Sequence, residues 1–161
     1  MAGPYYSDLR TKERAARTGI SNGIIHGDDK SGLLLLATCI YTLLGTEAAT
    51  EIIELVDLPA GCVVVPALCS AVCADPGTTL TVDVGDDGSG GNDTADPDRY
   101  ADGIVLSAGG EVKFNSAAVT DGNVNPYRST GPNKVRATIA SANTLSAGVK
   151  VLFNIVYRIA G

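Results

Sequence analysis

Residues 78–103 read TTLTVDVGDDGSGGNDTADPDRYADG, and the fold turns on the first seven of them. Leu80, Val82 and Val84 alternate with Thr79, Thr81 and Asp83, the period-two pattern of a strand with one face buried and one wet. Behind it comes an acidic, glycine-rich run. Seven of the twenty-one residues from Asp83 to Gly103 are aspartate: Asp83, Asp86, Asp87, Asp93, Asp96, Asp98 and Asp102. Such a run is either a cation-binding loop or a solvated connection between strands. Calcium loops of the helix–loop–helix kind need oxygen ligands at positions 1, 3 and 5, glycine at 6 and glutamate at 12. Starting at Asp83 puts Gly85 at position 3 and Thr94 at position 12. Starting at Asp86 puts Gly88 and Gly90 at positions 3 and 5. Neither register works, and the expectation is a solvated loop between a strand ending near Val84 and one beginning near Gly103.

The same alternation recurs outward from this point. Val149, Val151, Phe153, Ile155 and Tyr157 share one face of a terminal strand, with Lys150, Asn154 and Arg158 on the other. EIIELVDL (51–58) and KVRATIAS (134–141) are further strands. CVVVPALCSAVCAD (62–75) is a β-branched run in which Pro66 marks an edge or a bulge. GIVLSA (103–108) and EVKFNS (111–116) flank Gly109-Gly110, a two-residue hairpin signal. LLLLATCIYTLLG (33–45) is ambiguous. Leu33, Leu35, Ala37, Cys39, Tyr41 and Leu43 would share a strand face, but a nearly continuous apolar run reads equally as a helix. Turn signals at short intervals, without strand–helix alternation, favour an all-β chain. The expectation is an antiparallel, jelly-roll-like β-sandwich of about 8–9 strands over residues 31–161, preceded by an N-terminal arm over residues 1–30.

Composition supports this and narrows function. At 161 residues, with 45% apolar and 19% charged side chains, the chain can bury one ordinary core. Tryptophan is absent and phenylalanine occurs twice, so that core is aliphatic. Residues 9–18, LRTKERAART, carry four basic side chains and one acidic. From Ser31 onward seven basic residues face fourteen acidic ones. An acidic body repels nucleic acid and anionic membrane, so neither is an expected partner. No apolar leader precedes residue 30, and the run at 33–45 is too short to span a bilayer as a helix.

Chemistry-bearing motifs are sparse. Gly19–Gly23 (GISNG) matches G-x-S-x-G around Ser21, but that elbow works only between a strand and a helix of an α/β sheet. His26, the one histidine, has no cluster of partners. Cys39, Cys62, Cys69 and Cys73 lack the paired spacing of a zinc site. On one strand, Cys69 and Cys73 lie about 13 Å apart, beyond disulfide reach, so free thiols are expected. No catalytic residue, metal site or cofactor is expected. In the arm, Tyr5, Tyr6 and Leu9 are apolar residues without a core of their own. With Arg10, Lys12, Arg14 and Arg17 they form a candidate contact segment.

Several stretches together suggest a family. DLPAGCVVV (57–65), TLTVDVGD (79–86), DPDRYADG (96–103) and SAGVKVLFNIVY (146–157) resemble, in order and rhythm, the capsid decoration or cement proteins of tailed bacteriophages. The resemblance covers about residue 23 to the C-terminus. It implies a virion structural protein on the capsid surface, assembled in the host cytoplasm. It also implies a homo-oligomer, most often a trimer, that binds the assembled shell and bridges major capsid protein subunits. No catalytic residue carries over, and the four cysteines receive no role. Phage tail or fibre components share related patterns, and a calcium-dependent carbohydrate-binding sandwich is the alternative that the acidic loop would serve.

Overall fold

A computed structural model describes residues 34–89, 94–106, 109–114 and 128–159. Nine strands form among them: β1 (Leu35–Thr42), β2 (Ile52–Leu58), β3 (Cys62–Val64), β4 (Ser70–Cys73), β5 (Gly77–Asp86), β6 (Asp96–Val105), β7 (Gly110–Lys113), β8 (Asn133–Leu145) and β9 (Lys150–Ile159). All named pairings are antiparallel. Sheet A runs β1-β9-β4-β7, with β3 also on β9, and sheet B runs β2-β8-β5-β6. Tyr157 pairs with Leu35 on one side and Val64 on the other, so β3 and β4 lie on the same side of β9. They are two halves of one interrupted strand, and the strand orders then match a jelly-roll-like double Greek key. The expected all-β sandwich is therefore the observed architecture.

The ambiguous run at 33–45 is a strand. Leu35, Ala37, Cys39 and Tyr41 turn inward, half-buried, and Leu43 follows them into the core. The core fills the space between the sheets with aliphatic side chains: Leu80, Val82 and Val84 of β5, Val135, Ala137 and Ile139 of β8, and Val151, Phe153 and Ile155 of β9. Pro66 does more than bend its strand. It opens a 3-10 turn over Pro66–Leu68 that separates β3 from β4, because proline removes a ladder donor and fixes a turn-like φ.

Two expectations are corrected. Gly109-Gly110 does not close a hairpin, since β6 lies in sheet B and β7 in sheet A. Gly109 has φ +68°, and a Cβ there would sit 2.8 Å from the Asp75 backbone nitrogen. Its N–H closes a turn onto the Leu106 carbonyl at 3.0 Å, and both that left-handed φ and the close approach to the Asp75 backbone exclude a Cβ as the chain passes from one sheet to the other. The acidic stretch is also less of a loop than its composition implies. β5 continues to Asp86 and β6 already begins at Asp96. Gly85 lets them meet: a Cβ there would lie 1.9 Å from the Asp96 carbonyl oxygen.

Asp86 occupies the next inward position after Leu80, Val82 and Val84, and it is fully buried. Arg99 Nε lies 2.7 Å from its Oδ2, and the Tyr100 hydroxyl donates to the same oxygen at 3.2 Å. Asn133 Nδ2 donates to the Tyr100 oxygen at 2.9 Å, and Gly88 N–H to Asp86 Oδ1 at 3.1 Å. Burial, and then the Asp86 charge, push the Tyr100 hydroxyl far above its usual pKa, so it stays a donor. This network ties β5, β6 and β8 together at one end of the sandwich. Replacing Arg99 with methionine leaves a buried carboxylate unpaired and should cost about 3–5 kcal/mol. Adding Asp86→Asn should restore part of that loss, as read from urea denaturation midpoints.

Candidate assembly surface

The two outer faces of the sandwich differ in chemistry. On sheet B the outward positions carry Glu54 and Asp57 of β2, Lys134 and Arg136 of β8, Asp83 of β5, and Asp98 and Asp102 of β6. Glu54 stands opposite Arg136 and Asp57 opposite Lys134, and Lys134 Nζ lies 3.6 Å from Glu54 Oε1. Charge of both signs dominates this face, and Ile52 and Val105 are the exposed large apolar side chains on it among the described residues.

Sheet A is apolar on the outside as well as the inside. Its outward rows follow from the register. Ile40 stands beside Leu152, which stands beside Val72, and Leu36 stands beside Val156. Between these rows runs a polar line. Thr38 Oγ1 donates to Asn154 Oδ1 at 3.1 Å, and Asn154 Nδ2 donates to Ser70 Oγ at 3.3 Å. Charge appears on β9 only at Lys150 and Arg158, and on β7 at Glu111 and Lys113. Of the seven large apolar side chains exposed among the described residues, four lie on or beside β1: Leu34, Leu36, Ile40 and Leu44. Leu36 and Ile40 are each 62% exposed and Leu44 is 68% exposed. Contiguous exposed apolar area of this kind marks an interaction surface.

β1 is also an edge strand, and its edge is bare among the described residues. Leu43 N–H donates to the Val149 carbonyl, and its carbonyl accepts from Gly148 N–H. By alternation the odd residues of β1 direct their backbone groups to β9, and Leu36, Thr38, Ile40 and Thr42 direct theirs outward. Between β1 and the facing edge strand β2 lies an open cavity of about 330 Å³, lined in part by Ala37, Cys39, Tyr41, Ile53 and Leu55.

The far end of this edge is closed by Glu47. Its carboxylate accepts from Leu44 N–H at 2.5 Å, Gly45 N–H at 2.9 Å and the Tyr41 hydroxyl at 3.1 Å. Burial pulls its pKa up, but these hydrogen bonds outweigh that and hold it below the usual carboxylate value.

Three of the aspartates act as acceptors for nearby backbone. Asp83 Oδ1 takes Gly103 N–H at 2.7 Å, Asp87 Oδ1 takes Ser89 N–H at 2.9 Å, and Asp75 Oδ1 takes Gly77 N–H at 3.0 Å. No group of three His, Cys, Asp or Glu among the described residues converges as metal ligands do. Burial raises Asp83, and Asp102 and Asp98 raise it further, against the lowering bond from Gly103. All four cysteines are free thiols, and Cys62, Cys69 and Cys73 are buried. Burial pushes Cys69 up to about 11, which makes it an inert core residue. Tyr5, Tyr6, Leu9, Arg10, Lys12, Arg14 and Arg17 of the expected arm, and Ser21 and His26, lie outside the described residues.

No family model and no curated protein sequence matches the chain. Solved structures do. A chain of the capsid of Ralstonia phage GP4 is 26% identical with a TM-score of 0.64, over 81% of this chain and 86% of that one. A chain of the cyanophage Pam1 capsid asymmetric unit matches at TM-score 0.59 and 16% identity, over 99% and 92% of the two chains. A chain of the acidic stable capsid of Helicobacter pylori bacteriophage KHP30 matches at 0.52 and 20%, over 81% and 90%.

Because the Glu47 pKa is lowered in the folded state, its contribution is complete above the ordinary value near 4.5 and disappears as pH falls through the folded value. Glu47→Gln should therefore lower the melting temperature at pH 7. The gap to the parent protein should close as pH drops below about 4, measured by thermal melts across that range. The chain thus shares its fold with chains of three bacteriophage capsids and carries one apolar outer face and one charged one.

Proposed function

We propose that the chain is a structural protein of a bacteriophage virion, of the decoration or cement type. It binds the assembled shell through the outer face of sheet A and bridges neighbouring major capsid subunits. The observation that carries this reading is the one-sided apolar face on a fold shared with phage capsid chains. A subunit lying on a surface needs one face for the surface and one for water, and sheets A and B supply that pair.

A subunit tiling a closed shell would need contacts around its whole perimeter. Three of the four sheet edges here are poorly suited to that. β2 carries Glu54 and a bulge, β6 has register shifts with Asp98 and Asp102, and β7 is four residues long with Glu111 and Lys113. Such features block strand pairing. A protein that binds only the assembled shell stabilises it by mass action, and its repetition over the lattice multiplies a modest contact. The basic segment with Arg10, Lys12, Arg14 and Arg17, together with Tyr5, Tyr6 and Leu9, supplies a second contact to the shell.

Co-sedimentation with shells assembled from the phage's major capsid protein tests this. The pair Val72→Glu and Leu152→Glu charges the centre of the outer face and leaves the inner face intact. The variant should stay folded and lose co-sedimentation. Undiminished binding would sink the proposed face. Deleting residues 1–20 should weaken binding while the sandwich stays folded, and wild-type affinity after deletion would remove the arm from the interface.

A further inference from the structure

We infer that the edge of β1, bare among the described residues, pairs with the same edge of a second copy, making a two-fold dimer with one continuous sheet across both molecules. The inference concerns self-association in solution and stands apart from shell binding.

Edge strands in stable monomers carry guards: charges, prolines, bulges or short length. β2, β6 and β7 carry them and β1 has none. Residues 33–46, LLLLATCIYTLLGT, contain no charge and no proline. Eight residues of β1 pair with β9 without a register shift. Leu36, Thr38, Ile40 and Thr42 present outward N–H and C=O groups along the whole strand.

The occupant follows from the pattern of the strand itself. In an antiparallel pair, outward-bonding residues must oppose outward-bonding residues. For two copies of β1 this restricts the register, and a two-fold axis at Thr38 gives close to the longest overlap. Thr38 then faces Thr38 of the second copy, Leu36 faces Ile40, and Leu34 faces Thr42. Apolar meets apolar and hydroxyl meets hydroxyl at the centre, pairs that stabilise a sheet, and no like charges meet along β1. About ten backbone hydrogen bonds form in this register. On the inner side Ala37 faces Cys39, both half-buried over the cavity between β1 and β2. Glu54 on β2 flanks the contact on each copy, where Lys134 at 3.6 Å offsets its charge. Glu47 ends the pairing by occupying the Leu44 N–H.

The two-fold axis is perpendicular to the sheet, so the outer faces of both copies point the same way. Leu36 and Ile40 of one copy adjoin Ile40 and Leu36 of the other, and the apolar surface becomes one patch of twice the width.

The register fixes the experiment. Ala37 and Cys39 of opposite copies form a non-hydrogen-bonded pair with Cα atoms about 4.5 Å apart, a distance a disulfide accepts. The full chain carrying Ala37→Cys, oxidised with copper phenanthroline in air, should run as a covalent dimer without reductant. The parent protein should show twice 16.4 kDa by light scattering over a dilution series. Thr38→Lys places two ammonium groups together at the axis and should raise the dimer Kd about tenfold or more, while circular dichroism stays that of a sandwich. A monomer at all concentrations overturns the inference. So does a trimer in which Ala37→Cys fails to cross-link, or a dimer that Thr38→Lys leaves intact. Because no shell is present, failure here leaves the shell-binding face standing. A dimer that ignores shells has the opposite meaning.

Discussion

Every strand of a sandwich has an inner and an outer face, and side chains alternate between them without exception unless a bulge intervenes. In sheet B that alternation separates Val82, Val84, Ala137 and Ile139 inside from Asp83, Arg136 and Thr138 outside. In sheet A the same geometry leaves apolar residues on both sides. Ile40, Leu152 and Val72 lie across the outside of the strands whose inner positions hold Cys39, Phe153, Ala71 and Cys73. The inner set has the opposite sheet to bury it. Within a single chain nothing among the described residues covers the outer set.

That difference explains which parts of the fold were legible in the sequence. In sheet B, β5 and β8 announced themselves, because water on one side enforces a period of two. TTLTVDV could hardly be anything but a half-buried strand. The run at 33–45 could not be assigned from period alone, because both faces are apolar. Continuous apolar runs are the usual signature of strands buried on both faces. The ambiguity was therefore a physical property of the strand, whose outer face none of the described residues covers.

The acidic stretch misled for the opposite reason. Composition suggested a loop, yet parity carried through Leu80, Val82 and Val84 places Asp86 inward as the next member of the series. Its partners, Arg99 and Tyr100, lie thirteen and fourteen residues on in DPDRYAD, a segment whose three aspartates and proline conceal a strand. Single-sequence reasoning had no means to see that Arg99 neutralises Asp86, since the pairing arises only once β6 lies beside β5. Gly109-Gly110 failed similarly. A diglycine permits a hairpin, but it equally permits the close approach to Ala74 and Asp75 that a crossing between sheets demands. The resemblance to phage decoration proteins pointed to the same all-β sandwich and to phage capsids, where the solved structures with this fold are found.

The buried polar network and the apolar face divide the molecule's work between its sheets. Asp86, Arg99, Tyr100 and Asn133 fix β5, β6 and β8 in a single arrangement, because a half-satisfied buried charge is costly in any other. Sheet B is thereby held in one arrangement, with a largely charged exterior. Sheet A spends its polar groups differently. The Thr38–Asn154–Ser70 line holds its outer rows in register without adding charge, so the face stays flat in chemistry from β1 to β4. A face with few charges beside an edge that is bare among the described residues gains more from extension than from elaboration. In the inferred dimer the second copy adds contact area with no new desolvated charge, and two weak contacts held in fixed geometry act as one strong one.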